Sequence, residues 1–218
     1  MQNPSKGSGF ILASRGAPQM TREPPVTLRK SPRQARARAT CEAVLEAAAR
    51  ILQRGGVAAV STNAVAELAG VSIGSLYQYY PGKEAILAEL VRAMRAEMLE
   101  DLRRAARACE GQEITRAVHL LLAASLEHHR ADPARAAAIE EAERHLPLDA
   151  ETLALKAEIT ALVIAVLRAH DVPEPERAAR DLAAMTNAMA DAACLAGERD
   201  VDAILPRLER AARGYLGV

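Results

Sequence analysis

Three of the five aromatic residues in this 218-residue chain fall within four consecutive positions. The aromatic side chains are Phe10, Tyr77, Tyr79, Tyr80 and Tyr215. Ser72 favours a helix start and Pro81-Gly82 a helix stop, so a helix of about two turns is predicted between them. Because successive helical residues are rotated by about 100°, the three clustered tyrosines cannot all enter one core. An exposed tyrosine presents a flat apolar face and a hydroxyl that can bond a phosphate or a base edge.

A second short helix is predicted just before this segment, from Thr62 to Ala69, with Gly70 ending it. Two short helices joined through a turn that contains glycine are typical of a helix-turn-helix. The tyrosines would then lie on the second helix of the motif, which is the one that enters the major groove of DNA.

The same residues resemble a known family. Ser72-x-Gly74-x-Leu76-Tyr77-x-Tyr79-Tyr80-x-Gly82-Lys83-Glu84 is similar to the recognition helix and following turn of the tetracycline-repressor (TetR/AcrR) family of bacterial transcriptional regulators. Ser61-Thr62-x-x-Val65-Ala66-x-x-Ala69-Gly70 resembles the first helix of that family's motif. The resemblance covers about residues 40 to 90. It implies a homodimer that binds double-stranded operator DNA and responds to a small-molecule effector.

By matching positions, the resemblance places a defined set of side chains at the DNA. They are Thr62, Asn63, Ser72, Ile73, Gly74, Ser75, Tyr77, Gln78, Tyr79 and Lys83. Gln78 suits adenine because its amide can form two hydrogen bonds with that base, and Gly74 allows a close backbone approach. Tyr77, Tyr79, Thr62 and Lys83 suit phosphates. Many relatives have a longer basic residue where this chain has Asn63, and Ile73 is apolar, so base preference at both positions stays open.

The charge distribution predicts a basic arm at the start of the chain. Residues 1–40 contain eight Lys and Arg side chains against one acidic residue, so they carry +7, while the whole chain has a net charge of zero. Arg33, Arg36 and Arg38 fall in or near the first turns of a helix capped by Ser31, where the helix dipole disfavours cations. Contact with DNA phosphates would resolve that conflict, and a solvated leader is the alternative.

Composition places the chain among all-α proteins. Half the residues are hydrophobic, and aromatic residues make up 2%. β-Branched and aromatic residues are too few for strands. No apolar run approaches the roughly 18 residues that span a bilayer, so we predict a cytoplasmic protein without a membrane partner. The three cysteines are too far apart in sequence to form a metal-binding or redox-active motif. We predict that they are buried; they are Cys41, Cys109 and Cys194.

The helical pattern predicts about nine helices in two domains after a disordered arm at residues 1–30. A three-helix DNA-binding domain is expected at residues 31–85 and a helical effector-binding and dimerisation domain at 86–218. The first helix should end at Gly55-Gly56. Later helices are predicted at about 83–108, 113–130, 133–145, 149–170, 176–196 and 200–216. The helix at 83–108 is long enough to link the two domains.

The C-terminal half is predicted to dimerise and to enclose an effector. The resemblance implies that the last two helices form the interface. Their alanine-rich faces allow helices to approach closely, and the alanines are Ala183, Ala184, Ala188, Ala192 and Ala193. The alternative is that these faces pack only within the monomer. An effector pocket must be lined by aliphatic residues, with Met94, Met98, Met185 and Met189 as adaptable candidates.

Catalytic and metal sites are not predicted, and neither is a cofactor. No nucleophile motif or phosphate-binding glycine loop occurs. His128 and His129 are adjacent, so a regular helix points them apart, and neither has a helical ligand partner at the usual spacing. The sequence therefore predicts a transcriptional regulator, most simply a repressor released by an apolar effector. A helix-turn-helix protein that only dimerises and an all-α enzyme are the two alternatives.

Overall fold

A computed structural model describes residues 26–29, 35–147, 149–198 and 200–218, apart from the side chains of residues 194 and 195. The described residues form helices without strands, which confirms the all-α class. The helices are α1 (Ala35–Ala59), α2 (Thr62–Ala69), α3 (Ile73–Tyr79), α4 (Lys83–Ala108), α5 (Ile114–Ser125), α6 (Glu127–Ala131), α7 (Pro133–Arg144), α8 (Ala150–Ala169), α9 (Pro175–Leu195) and α10 (Val201–Leu216). The Ser31 cap and Arg33 lie outside the described residues.

The first three helices and the start of α4 close a core in the N-terminal part of the protein. Its fully buried members include Val44 and Leu52 of α1, Val65 of α2 and Leu76 of α3. Leu68 of α2 is 48% exposed, whereas Ala66 of the same helix is buried. Burial of these aliphatic side chains is the main stabilising contribution here, at roughly 25 cal/mol per Å².

A break in α1 falls where the sequence predicts it. Gly56 has φ 66° and ψ −172°, so the backbone leaves the helical conformation there before continuing to Ala59. A non-glycine residue would be strained at this positive φ. The following turn then brings α2 against α1.

Helix α4 passes through two hydrophobic cores. Its first half, including Ile86, Leu90 and Met94, is buried in the N-terminal core. Its second half, from Met98 to Ala105, belongs to a core in the C-terminal bundle. A single rigid helix of 26 residues therefore joins the two parts of the protein.

The C-terminal bundle contains one more helix than the sequence predicts. The single helix expected at 113–130 ends at Ser125, and a short α6 follows it. Asp132 lies directly before Pro133, and a residue before proline is disfavoured in the helical conformation. Asp132 accordingly adopts φ −153° and ψ 89°, which ends α6. Its carboxylate caps α7 by accepting from the Arg135 N–H at 3.0 Å.

Helix α7 also packs outside the bundle, against α1. Its Ile139 and Ala142 are members of the N-terminal core. Arg135 pairs with Glu46 of α1 at 2.8 Å, and Gln53 of α1 donates to Asp132 at 3.0 Å. The N-terminal part is thus held against the bundle by α7 as well as by α4. Among the described residues, no helix has the length and apolar character that crossing a bilayer requires.

Candidate nucleic-acid interface and ligand cavity

One face of α3 anchors the helix and leaves the opposite face free. Leu76 is fully buried, and Tyr80, at the end of the helix, is 1% exposed. Ser72 caps the helix because its Oγ accepts from the Ser75 N–H at 3.0 Å. At the turn before it, Gly70 has φ 67°, the left-handed conformation that lets α2 end sharply. Local sequence thus sets both ends of the recognition helix.

None of the ten predicted DNA-contact residues is buried. Exposed members are Asn63, Ser72, Ile73, Gly74, Tyr77 and Gln78. Half-buried members are Thr62, Ser75, Tyr79 and Lys83. Large apolar side chains share this surface, with Ile73 39% and Tyr77 40% exposed. The structure therefore leaves every residue of the predicted set at least partly accessible to a partner.

Thr62 and Tyr77 form a polar contact across the motif. The Thr62 Oγ1 and Tyr77 hydroxyl oxygens are 3.1 Å apart. The contact joins the first turn of α2 to the middle of α3. Two hydroxyls at this separation can bind oxygens of one phosphate, a pairing that the sequence does not reveal.

Residues 26–29, which precede α1 in sequence, dock beside α3. The Arg29 N–H donates to the Tyr79 carbonyl at 2.8 Å, and the Arg29 guanidinium donates to the Tyr77 carbonyl at 3.4 Å. Leu28 packs against the N-terminal core. These donors satisfy carbonyls at the end of α3 that lack helical partners. Arg36 and Arg38 are exposed at the start of α1.

A cavity of about 350 Å³ lies inside the C-terminal bundle. Its wall is mainly aliphatic, with Leu102, Leu122, Ile159 and Val163 among its members, and it contains no Phe, Tyr or Trp. Helices α4 to α10 all contribute lining residues. This size and composition are typical of a small-molecule site.

Comparison with known proteins identifies the family. Residues 44–90 match the model of the family described as bacterial regulatory proteins, tetR family. The chain carries the DNA-binding domain of this family. With this domain it is a DNA-binding transcriptional regulator, and the matched residues span α2, α3 and their supporting core. No curated protein matches the sequence closely enough to add a relative.

Solved structures share the fold of this TetR-family chain. A transcriptional regulator from Rhodococcus sp. Rha1 has 21% identity and a TM-score of 0.67, over 81% of this chain and 95% of that one. PfmR, a TetR family transcriptional regulator from Thermus thermophilus, has 22% identity and a TM-score of 0.60, over 80% and 94%. FadR from Bacillus subtilis, solved in complex with stearoyl-CoA, has 15% identity and a TM-score of 0.66, over 80% and 96%. Identities this low establish the fold alone.

The four methionines proposed for an effector pocket occupy three different places in this TetR-family chain. Met98 lines the cavity. Met94, one helical turn earlier, is buried in the N-terminal core. Met185 and Met189 of α9 pack against the core formed with α5 and α10. Met98 is thus the member that the structure places at the cavity, and its neighbour Met94 connects that wall to the DNA-binding part.

The prediction that His128 and His129 point apart was wrong. Both rings contact Glu140 of α7, with Nε2 to carboxylate distances of 3.2 and 3.3 Å. Their ring centroids are 4.3 Å apart. Burial favours a raised pKa for Glu140, but hydrogen bonds from both imidazoles outweigh it and hold this pKa well below its usual range. The short α6 and its packing on α7 produce this convergence, which sequence spacing could not show.

A largely buried ion pair between α4 and α7 lies beside the cavity and is joined by an exposed lysine of α8. The Glu143 carboxylate accepts from Arg95 at 2.5 Å and from Lys156 at 3.2 Å. Burial favours a raised pKa for Glu143, but the hydrogen bond from Arg95 and the two positive charges outweigh it, so this pKa lies below its ordinary value. Arg95 and Lys156 also line the cavity.

The described cysteine side chains are inert by environment. Cys41 and Cys109 are free and buried, as predicted. Burial raises the pKa of both thiols, which keeps them protonated and weakly nucleophilic. The side chain of Cys194 lies outside the described residues.

Proposed function

We propose that this TetR-family regulator represses transcription by binding a palindromic operator as a dimer, and that a small aliphatic ligand in the cavity releases it. The observation that carries the first half is the exposed face of α3, held by a buried Leu76 and lying inside the family match. A helix of this kind enters the major groove of DNA. An operator-binding protein must reach DNA, so a cytoplasmic location belongs to the same proposal.

The side chains of α2 and α3 would divide base reading from phosphate binding. Gln78, exposed in the last turn of α3, would read a base edge, while Gly74 and Ser75 lie where the backbone approaches the groove. Thr62 and Tyr77, 3.1 Å apart, would hold one phosphate, with Lys83 and Tyr79 on others. Asn63, Ser72 and Ile73 complete the surface.

Operator binding tests the assignment directly. A Tyr77→Ala/Gln78→Ala/Lys83→Ala variant is expected to fold normally, because no side chain in this set is buried. Its affinity for the operator is expected to fall by at least about 100-fold, or roughly 2.7 kcal/mol. Operator DNA would be selected from random sequence with the wild-type protein and binding compared by fluorescence anisotropy. Undiminished affinity would rule out this surface.

The arm would add phosphate contacts beside α3. Its support is the docking of Arg29 on the Tyr77 and Tyr79 carbonyls, which brings the chain before α1 next to the recognition helix. Arg33, Arg36 and Arg38 would then carry the contacts. The salt slope is the slope of log affinity for DNA against log salt concentration. Replacing all three arginines with Ala should reduce its magnitude by up to about 3 without changing sequence preference. An unchanged slope would favour the solvated leader.

Dimerisation through α9 and α10 would set the spacing of the two recognition helices. Ala184, Ala188 and Ala192 of α9 are exposed, and Ala203 and Gly214 provide a similar surface on α10. Close helix packing between two copies would bury these faces. A two-fold dimer would place the recognition helices about 34 Å apart, one turn of DNA, or a multiple of it.

Two helices offer a route from the cavity to DNA. Met98 of α4 lines the cavity and Met94, one turn away, lies in the N-terminal core. On α7, Glu140 lines the cavity and the adjacent Ile139 lies in that same core. A ligand that moves either helix would therefore move α1 to α3. To change the ratio of the DNA-binding state to the released state from 99:1 to 1:99, the ligand must bind the released state more tightly by about 5.5 kcal/mol.

The cavity wall favours an aliphatic or weakly polar effector. Its lining has no aromatic ring on which a planar cation could stack. The ligand in the Bacillus subtilis FadR structure, stearoyl-CoA, has a chain of this character. Fatty acids and acyl-CoAs of graded length are the first probes, screened by thermal shift and then by release of operator DNA.

The alternatives give different results in this screen. One outcome is a tight ligand in the cavity that leaves operator affinity unchanged in both wild type and Met98→Ala. That result would support the alternative in which the C-terminal half serves only for dimerisation of a DNA-binding protein. Chemical turnover of a bound probe would support the enzyme. Release of the operator by wild type, with a weaker response in Met98→Ala, is the result that the proposal expects.

A further inference from the structure

Three side chains that commonly bind metals converge in the wall of the cavity. They are His128 and His129 of α6 and Glu140 of α7, and one ligand atom from each lies within 4.8 Å of the others. All three side chains are largely buried, with exposures of 7%, 12% and 15%. The cavity lining includes all three.

We propose that His128, His129 and Glu140 bind a divalent transition metal ion of the zinc type. Zinc bonds to imidazole nitrogen and carboxylate oxygen are about 2.0–2.2 Å long, so neighbouring ligand atoms in a tetrahedral site are separated by about 3.4 Å. The Nε2 atoms lie 3.2 and 3.3 Å from the two carboxylate oxygens. Small side-chain rotations are therefore sufficient to place an ion between them.

The unsatisfied second nitrogen of His128 supports a ligand role for this ring. Its Nδ1 atom is buried without a hydrogen-bond partner among the described residues. Burying an unpaired polar atom is unfavourable, so the contacts of Nε2 must offset that cost. A coordinate bond to a metal is stronger than the single contact with Glu140 and would hold the ring where it lies.

The ligand set selects the class of ion. Two imidazoles and one carboxylate suit zinc and its first-row neighbours, whereas magnesium and calcium prefer oxygen ligands alone. Three protein ligands leave one tetrahedral position open. Because all three residues line the cavity, that position faces the space in which an effector would lie.

An ion at this position would strengthen the link between α6 and α7. Glu140 follows Ile139, which packs in the core that supports α2 and α3. Metal occupancy would therefore bias the position of the recognition helix and supply a bond to an effector oxygen. This regulatory consequence rests on the proposed function, whereas metal binding itself does not.

Metal binding is tested on the full chain without a polyhistidine tag. Zn²⁺ is titrated in competition with a chromophoric chelator, and Co²⁺ is added separately to record its visible absorption, which is intense for tetrahedral coordination. We expect one Zn²⁺ per chain and a tetrahedral Co²⁺ spectrum that Zn²⁺ abolishes. A wild-type chain that binds no Zn²⁺ in competition with the chelator would overturn the proposal, whatever the result of operator binding.

Substitutions assign the ligands. His128→Gln, His129→Gln and Glu140→Gln should each weaken Zn²⁺ binding by more than about 100-fold, because losing a direct ligand exceeds the 10–100-fold effect of outer contacts. His145→Gln is the matched control, since His145 also pairs with a glutamate, Glu141 at 2.8 Å, but its side chain is 59% exposed. Equal loss in the control, or unchanged affinity in all three ligand variants, would refute the assignment. If a ligand variant fails to fold, electron paramagnetic resonance of Cu²⁺ bound to wild type counts imidazole ligands, and fewer than two would refute it.

Discussion

At the scale of single residues, α3 separates side chains that hold the fold from side chains that are free to meet DNA. Leu76 and Tyr80 are buried, whereas Gly74, Tyr77 and Gln78 are exposed. Substitutions of Tyr77 and Gln78 should therefore change DNA binding without changing the free energy of unfolding by more than about 0.5 kcal/mol. This separation makes single substitutions informative.

Gln78 and Lys83 are expected to give different kinds of loss. Gln78→Ala should change base preference at one position in each half-site, at about 1–3 kcal/mol, because a bidentate contact is removed. Lys83→Ala should weaken all sequences alike and lower the salt slope by about one. Both variants are measured against a panel of operator variants at several salt concentrations. The same salt-dependent loss for both substitutions would show that Gln78 does not read a base.

Gly74 has no visible role within the folded chain. A Cβ atom at this position would meet nothing nearer than the Ser72 Oγ at 3.9 Å, and the backbone does not have a positive φ. Gly74→Ala should therefore stabilise the protein by up to about 1 kcal/mol by reducing the entropy of the unfolded chain. If the DNA backbone or a base edge approaches here, the same change should lower operator affinity by about tenfold, or 1.4 kcal/mol. Urea unfolding and operator titration measure the two effects, and unchanged operator affinity would contradict a close approach.

At the scale of helices, α4 and α7 each belong to both parts of the protein. Helix α4 is buried in two cores in succession, and α7 contributes Ile139 to the N-terminal core and Glu140 to the cavity. Arg95 of α4 and Glu143 of α7 then bind each other at 2.5 Å. The two helices should move together when the cavity is filled.

The Glu143 cluster predicts a dependence of stability on pH. Glu143→Gln should destabilise the protein by about 3 kcal/mol at neutral pH, because it leaves Arg95 without its carboxylate partner in a buried site. The folded-state pKa of Glu143 lies below its ordinary value, so the unfolded state binds more protons as the pH falls. The stability that the wild type gains over the variant is therefore present above about pH 4.3, the ordinary value, and is lost as the pH falls through the folded pKa.

Urea unfolding at a series of pH values measures this difference. Glu141→Gln is the control, since Glu141 lies on the same helix but pairs with Arg144 and His145 on the surface, where its side chain is 48% exposed. We expect little change in stability from the control at any pH. A difference between wild type and Glu143→Gln that stays constant from pH 7 to pH 3 would show that the carboxylate charge does not stabilise the fold.

At the scale of the whole molecule, assembly decides whether two recognition helices can bind one operator. Ala184→Glu/Ala188→Glu places charges on the exposed face of α9, and it should weaken the dimer by at least about 100-fold because a buried unpaired charge costs about 3 kcal/mol or more. Leu208 is unsuitable for this test because its side chain is fully buried within the monomer. Sedimentation velocity gives the oligomeric state, and operator affinity should fall with it.

A matched variant on another helix separates assembly from a general effect of charge. Ala157→Glu/Ala161→Glu introduces the same charges at the same spacing on α8, where both alanines are exposed. We expect this variant to remain a dimer and to bind the operator normally. Monomers in both variants, or in neither, would argue against α9 as the interface.

The sequence by itself determined the features that depend on neighbouring residues. The cap at Ser72, the stop at Gly70 and the long helix at 83–108 each depend on residues that are near in sequence, so their positions can be deduced from the chain. The motif residues of α2 and α3 were predictable for the same reason, since a short helix has few ways to divide buried from exposed positions. Hence the fold class and the long linking helix followed from the chain alone, whereas the expected set of DNA contacts came from the resemblance to a known family.

Only the tertiary structure decided which distant residues meet. The convergence of His128 and His129 on Glu140, the docking of Arg29 on α3 and the Arg95–Glu143 pair join residues of different elements, and no local periodicity encodes them. The cavity likewise depends on how seven helices leave a gap between them, so Met98 lines it while Met185 does not. Many helix faces have the same spacing of apolar residues, so the sequence pattern does not say which faces pair. Close packing selects the pairs whose side chains fit together in shape.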